Sequence, residues 1–241
     1  MKFAFDDNLG LPGDFAQRLG CELVSFHELD QMLSAFAGGD VDAMFAPCGA
    51  LPYINAPYDI IAQATFGPAR GHVMSSLFRI PSGAAGDESL FLRGRIACVN
   101  PYCTTSYWAP MIALLERTPE GSPVNFFSAA GFDDMLFAAV DGRADGAMVW
   151  TAVADKHPDA AAKTRVLFQI DGLPTPVILA RPSLDTAQKQ RMRDTLASYQ
   201  AADGGFFNGF SAPEVSMVEQ FHRQCVASQQ HYRLTPPSAL G

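Results

Sequence analysis

The sequence predicts an α/β protein of two lobes, each a mostly parallel sheet flanked by helices, and three observations carry that expectation. The chain repeats itself: Asp30–Asp42 lies over Asp133–Asp145 without a gap, with identities at Asp30/Asp133, Met32/Met135, Leu33/Leu136, Ala35/Ala138, Gly39/Gly142 and Asp42/Asp145. Each copy reads strand, helix, glycine-containing turn, strand. At 241 residues, with 48% apolar and 17% charged residues, the chain is long and apolar enough to bury a sizeable core.

In the first copy Lys2–Phe5 reads as a strand, Pro12–Leu19 as a helix and Leu23–Phe26 as a second strand. Met32, Leu33 and Phe36 recur at helical spacing, Gly39 stops that helix, and Val41–Ala46 is a near-continuous apolar strand of the kind that lies between helices in a parallel sheet. The second copy repeats this with Arg95–Val99, a helix over Thr105–Glu116, Val124–Phe127, a helix marked by Met135, Leu136 and Ala139, the stop Gly142, and Ala144–Trp150. Pro81–Ser89 separates the copies. Val73–Ile80 and Val177–Ala180 read as extra strands that carry the chain across and back, and helices over Ala187–Ala201 and Pro213–Ser228 cover the first lobe. The expected boundaries are 1–80 with 176–241 for lobe 1 and 81–175 for lobe 2. Asp42 and Asp145 read as turn residues that open a strand.

A net charge of −8 and the lack of a Lys/Arg cluster argue against nucleic acid as a partner, because duplex binding needs a basic surface to displace counterions. No uninterrupted run of about 18 apolar residues exists, so the chain is not expected to be membrane-embedded. Met1–Phe5 runs straight into Asp6 and Asp7 with no secretory signal, which reads as a cytoplasmic or already trimmed chain. Cys21, Cys48, Cys98, Cys103 and Cys225 are odd in number and widely spaced, fitting neither a disulfide framework nor a zinc site. GxSxG, HExxH, Walker and GxGxxG motifs are absent, and His222, Cys225 and His231 have no ligand spacing. No metal and no cofactor are expected.

In open α/β sheets ligands sit outside the carboxyl ends of the strands. The loops there are Asp6–Asn8, Ser25–His27, Pro47–Gly49, Asn100–Ser106, Ser128–Gly131 and Trp150 with Thr151, expected to converge on one cleft between the lobes. Thr104, Thr105 and Ser106 are helix-capping types, and a helix starting there presents free N–H groups and its positive dipole end to an anion without any Lys or Arg. One hydroxyl suffices for capping. Three together with Cys103 exceed that need.

The run Leu92–Tyr107, the Gly-x-Ala-Asp strand entry and Leu173-Pro-Thr-Pro-Val-Ile-Leu-Ala180 resemble the phosphate, phosphite and phosphonate substrate-binding proteins of ABC transporters, within the type 2 periplasmic binding proteins. The likeness spans Phe3 to about Ser198. That family carries an Asp-Pro-x-Ser-Thr-Ser-Gly-Tyr loop, matched here by Asn100, Pro101, Cys103, Thr104, Thr105, Ser106 and Tyr107, with Cys103 in place of a Ser and Ser106 in place of the Gly. The Gly-Pro loop appears as Ala46-Pro47-Cys48-Gly49, the Gly-Ser-His loop as Phe127-Ser128-Ala129-Ala130 without its His, and Trp150 stands where an acid is frequent.

The resemblance implies a solute-binding protein that takes up a phosphonate- or phosphate-like oxyanion or a small organic acid. Asp7, Pro47, Cys48, Tyr102, Cys103, Thr104, Thr105, Ser106, Tyr107, Ser128 and Trp150 are the implied ligand residues. It implies a hinge near Ile80 and Thr175, a periplasmic monomer, an ABC permease or a sensor kinase as partner, and no catalysis. Two alternatives stand beside it. One is an enzyme on the same fold, with Asp6, Asp7 or His27 as its acid or base. The other is capture or sensing of a thiophilic, arsenite-like oxyanion through Cys48 and Cys103.

Overall fold

In the computed structural model, which describes residues 1–7, 11, 14–66, 71–200 and 207–234, both repeat copies form βαβαβ segments. The first comprises β1 (Lys2–Asp6), α1 (Phe15–Leu19), β2 (Glu22–Phe26), α2 (Leu29–Gly38) and β3 (Ala43–Ala46), followed by a 3-10 turn at Cys48–Tyr53 and by β4 (Asp59–Thr65). Then β5 (Val73–Pro81) and the short α3 (Leu90–Arg93) lead into the second copy. It comprises β6 (Arg95–Cys98), a π turn at Thr104–Trp108 continued by α4 (Ala109–Ala113) and a 3-10 turn at Leu115–Arg117, β7 (Asn125–Ser128), α5 (Phe132–Val140) and β8 (Gly146–Trp150). The chain ends with α6 (Thr151–Lys156), α7 (Pro158–Ala162), β9 (Thr164–Pro174), β10 (Val177–Ala180), α8 (Thr186–Ala197), β11 (Gly209–Ser211) and α9 (Val215–His231).

Among the described residues the strands form two mixed sheets, ordered β11-β4-β10-β3-β1-β2 and β7-β6-β8-β5-β9. The repeat is visible in both. Parallel β2-β1-β3 corresponds to parallel β7-β6-β8, and an antiparallel strand lies beside the third member, β10 against β3 and β5 against β8.

The residues that the two copies share are those the architecture needs. Gly39 and Gly142 have φ of +91° and +72°, a left-handed turn that L side chains resist, and each ends the excursion after a helix. Asp42 donates its N–H to the Lys2 carbonyl at 2.9 Å and accepts the Lys2 N–H on Oδ2 at 2.8 Å. Asp145 makes the same pair with Arg95, at 2.8 and 2.7 Å. Each aspartate thus clamps the start of the third strand to the start of the first, which sets the register of the parallel pair.

The chain's contacts divide it into two units, Met1–Val73 with Pro174–Gln220, and Met74–Leu173 with the described residues from Phe221 onward. The core of the first is aromatic: Phe15 packs on Phe3 at 5.0 Å, Tyr199 at 5.6 Å and Phe210 at 6.0 Å, with Phe45, Ile61, Ile178 and Leu196 buried around them. In the second, Phe78 meets Phe91 and Phe168, and Tyr107 meets Phe126 at 4.8 Å.

Several sequence expectations need correction. The helix expected over Thr105–Glu116 is three short turns. Pro110 has no N–H to donate to the Ser106 carbonyl, so the turn before it widens, and Trp108 donates to Cys103 five residues back. Residues 74–80, assigned to lobe 1 from sequence, are built into the second sheet as β5, because they pair with β8 from Ser76↔Trp150 to Arg79↔Ala147. The last helix does not belong wholly to the first unit. Its end is tied to the second by Thr118, whose Oγ1 lies 3.2 Å from His231 Nε2 and 3.0 Å from the Tyr232 hydroxyl. Pro12 and Ala201, expected in helices, lie outside the described residues.

Candidate functional site

Parallel strands place their carboxyl ends on one edge of a sheet. On the first unit that edge carries Asp7, Pro47 and Cys48; on the second it carries Tyr102–Tyr107, Ser128 and Trp150. The densest group is the loop leaving the central strand β6. Asn100 opens it with an Asx turn, its side-chain oxygen accepting the Tyr102 N–H at 3.0 Å while its carbonyl accepts the Cys103 N–H at 3.2 Å.

Cys103 is the N-cap of the π turn. Its sulfur accepts the Ser106 N–H at 3.3 Å, and its carbonyl accepts from both Tyr107 and Trp108 at 3.2 Å. A thiol therefore fills the capping position here, at a place where the resembling family carries a serine, which gives Cys103 a structural task. Ser106 is also engaged: its hydroxyl lies 3.4 Å from both the Val99 N–H and the Cys98 sulfur, closing the loop onto the end of β6. Thr105, also buried, has its hydroxyl 3.4 Å from the Cys103 sulfur, a weak contact that leaves hydrogen-bonding capacity for a ligand.

The turn and α4 together present first-turn amides and the positive end of their peptide dipoles beside Thr104 and Thr105. No Lys or Arg occurs between Arg95 and Arg117, so the groups this segment itself offers are amides and hydroxyls. Burial pushes the Cys98 thiol and the Tyr107 hydroxyl well above their ordinary values, so both stay neutral. Tyr107 is part of the core, stacked on Phe126 and edge-on to Trp108. Ser128 is exposed and stands opposite Cys98 in the parallel register. Trp150 is buried at the end of β8, with Phe132 at 6.5 Å.

On the first unit the expected residues are less alike. Asp7 and His27 are exposed, and Asp6 is buried. Pro47 is half-buried and precedes a 3-10 turn. Cys48 points inward: it is fully buried, donates to the Thr175 carbonyl at 3.2 Å, and burial pushes its thiol pKa sharply up. That is the setting of a structural thiol, not of a soft-metal ligand.

Sequence reading missed how much depends on Thr175. Its N–H donates to the His72 carbonyl at 2.9 Å and its hydroxyl to the Ala64 carbonyl at 2.6 Å. Its own carbonyl receives Cys48 and Gln63. The signal was present in Pro174-Thr175-Pro176, where the flanking prolines leave Thr175 the sole backbone donor. Among the described residues no group of three His, Cys, Asp or Glu side chains is placed to hold a metal ion, and no helix is long and apolar enough to cross a membrane.

The fold and this turn can be set beside known proteins. A Xanthomonas citri protein bound to ATP superposes with a TM-score of 0.79 at 16% identity, covering 96% of this chain and 98% of its own. PhnD1 from Prochlorococcus marinus, in complex with methylphosphonate, gives 0.70 at 11% identity, covering 94% and 98%. A binding protein component of an ABC phosphonate transporter from Pseudomonas aeruginosa gives 0.69 at 15%, covering 95% and 88%. These likenesses establish the fold, that of two-lobed periplasmic binding proteins. No curated protein sequence matches the chain. The family model for the ABC transporter phosphonate periplasmic substrate-binding proteins matches residues 16–206, most of the chain, and the protein belongs to that family.

Proposed function

We propose that the Thr104–Ser106 turn of the second unit holds the oxygens of a small phosphonate- or phosphate-like anion, captured for ABC-type uptake or sensing with no bond made or broken there. The observation that carries this reading is the turn itself. A buried run of amides and hydroxyls, capped by Cys103, opens a helix at the end of the central strand of a sheet. Family membership supports binding and transport as its use, a permease as its partner and the periplasm as its place. The methylphosphonate held by the Prochlorococcus protein supports the ligand class.

Tyr102, Ser128 and Trp150 flank the turn on the same sheet edge and supply its walls. The thiophilic reading loses its second thiol, since Cys48 is committed to the Thr175 carbonyl. The protein acts as a monomer.

Isothermal titration with methylphosphonate, phosphite, phosphate, arsenite and small carboxylates tests the reading. Saturable binding of at least one phosphorus oxyanion is expected. A flat response to all three from folded protein would refute it, and binding of arsenite alone would return the thiophilic alternative.

A further inference from the structure

Within the first unit, Ser211 and Glu214 from one segment meet His72 from another, in the order serine, histidine, glutamate. Ser211 Oγ at the end of β11 lies 2.5 Å from His72 Nε2, and His72 Nδ1 lies 3.2 Å from Glu214 Oε1. The backbone around His72 is tied down. The Phe66↔Gly71 bridge precedes it, and its own carbonyl accepts the Thr175 N–H at 2.9 Å. The glutamate is held as well, because its N–H donates to Oε1 of the fully buried Gln63 at 3.0 Å. The His72 side chain is 9% exposed whereas Glu214 is 56% exposed, so the base is sheltered and the carboxylate beside it is solvated.

The geometry points to Ser211 as an activated nucleophile for acyl transfer from carboxylic esters, a chemistry separate from anion capture. A nucleophile within hydrogen-bond reach of a sheltered base is the pairing that lowers the barrier to covalent catalysis, and the Glu214 carboxylate 3.2 Å from Nδ1 favours the imidazolium that forms. In the tautomer that carries its proton on Nδ1, His72 leaves Nε2 open to take the Ser211 proton. The Ser211 oxygen then bonds the ester carbonyl carbon, and the carbonyl electron pair moves onto its oxygen. Collapse of that oxyanion breaks the bond to the alkoxide, which leaves with the proton from His72. A water molecule repeats the sequence on the acyl-serine, so ester and water give acid and alcohol, with Ser211 and His72 restored.

Two neighbouring features suit this use. α9 begins at Val215, and although the Met217 and Val218 N–H groups already donate to the Glu214 carbonyl, the positive end of the helix dipole follows Ser211 by only a few residues. Val73 and Val215, 44% and 42% exposed, directly follow His72 and Glu214 in the chain and are apolar side chains open to solvent.

The test uses the full chain with p-nitrophenyl acetate and a fluorophosphonate probe. We expect one probe adduct, mapped by peptide mass spectrometry to Ser211. Ester hydrolysis should fall at least about a hundredfold in Ser211→Ala and His72→Asn, the usual weight of a positioned acid–base pair. Glu214→Gln should cut hydrolysis by about tenfold while leaving the circular-dichroism melt intact. If Ser211→Ala does not fold, labelling of the wild-type chain decides alone. An adduct at another residue, no adduct, or hydrolysis unchanged in folded Ser211→Ala or His72→Asn would overturn the assignment.

Discussion

Replacing Thr105 by Val tests the anion turn most directly, because it keeps the branched shape and removes one hydroxyl. Thr105 is buried and its oxygen has a sulfur neighbour at 3.4 Å, so in the unliganded protein the substitution disturbs little. With an oxyanion bound, the lost hydroxyl leaves a ligand oxygen short of a donor inside a closed site, at a cost of about 1 to 3 kcal/mol. At about 1.4 kcal/mol per decade, affinity for the phosphorus oxyanion that wild type binds best should fall between several-fold and about a hundredfold. Cys103→Ser serves as the companion, since a hydroxyl can accept the Ser106 N–H that the thiol accepts now, and affinity should stay within a few-fold. Cys103→Ala removes the cap and should lower folding stability by about 1 kcal/mol in urea titrations. Calorimetry on the three variants with one ligand gives the answer. Unchanged affinity in Thr105→Val would show that the anion does not rest on this turn, and lost binding in Cys103→Ser would show that sulfur itself is a ligand.

Other measurements follow from the same contacts. Asp42→Ala and Asp145→Ala each remove a carboxylate that accepts a strand-opening N–H, and each should lower stability by about 1 kcal/mol, at the low end for charged acceptors because both sites reach solvent; equal stability to wild type in urea would refute the clamp. Iodoacetamide at mildly alkaline pH should label half-buried Cys21 ahead of Cys48 and Cys98, whose thiols burial pushes far up, and peptide mapping that finds the reverse order would contradict their burial. Arg143, with the Ala130 N–H, holds the Asp134 carboxyl below its ordinary value, so the stability it adds is present above the usual carboxylate range and is lost as pH falls through the lowered native value. Asp134→Asn should therefore be less stable than wild type by about 0.5 to 1 kcal/mol at neutral pH and nearly equal to it at pH 3; a gap that does not close on acidification would refute the pairing.

What the sequence shows of this molecule follows from how local each feature is. The repeat was legible because Gly39/Gly142 and Asp42/Asp145 each do one thing that few other residues do, a left-handed turn and a backbone clamp, within their own segment. Apolar runs such as Val177–Ala180 were legible because a strand covered on both faces has no polar side to interrupt it. β9 was missed, since Thr164–Pro174 mixes exposed charge and glycine at the edge of its sheet, and β11 was missed because three residues carry no period. The Ser211–His72 pair, 139 residues apart in the chain, has no local signature at all.

The two cysteines of the expected ligand loops show the same limit in chemical terms. Both follow a strand and both fall in loops that match ligand loops of the resembling family, so sequence treats them alike. Packing separates them. Cys48 enters a 3-10 turn whose N-cap, Pro47, brings no donor, and its side chain turns to the nearest buried carbonyl, that of Thr175. Cys103 begins a π turn whose third residue aims an N–H back at it, and the sulfur becomes an acceptor. The first thiol is a donor, sharing the buried Thr175 carbonyl with Gln63, and the second is an acceptor for the Ser106 N–H. A pair of thiols serving one soft ligand would need both sulfurs open to it, and here backbone hydrogen bonding already occupies each of them.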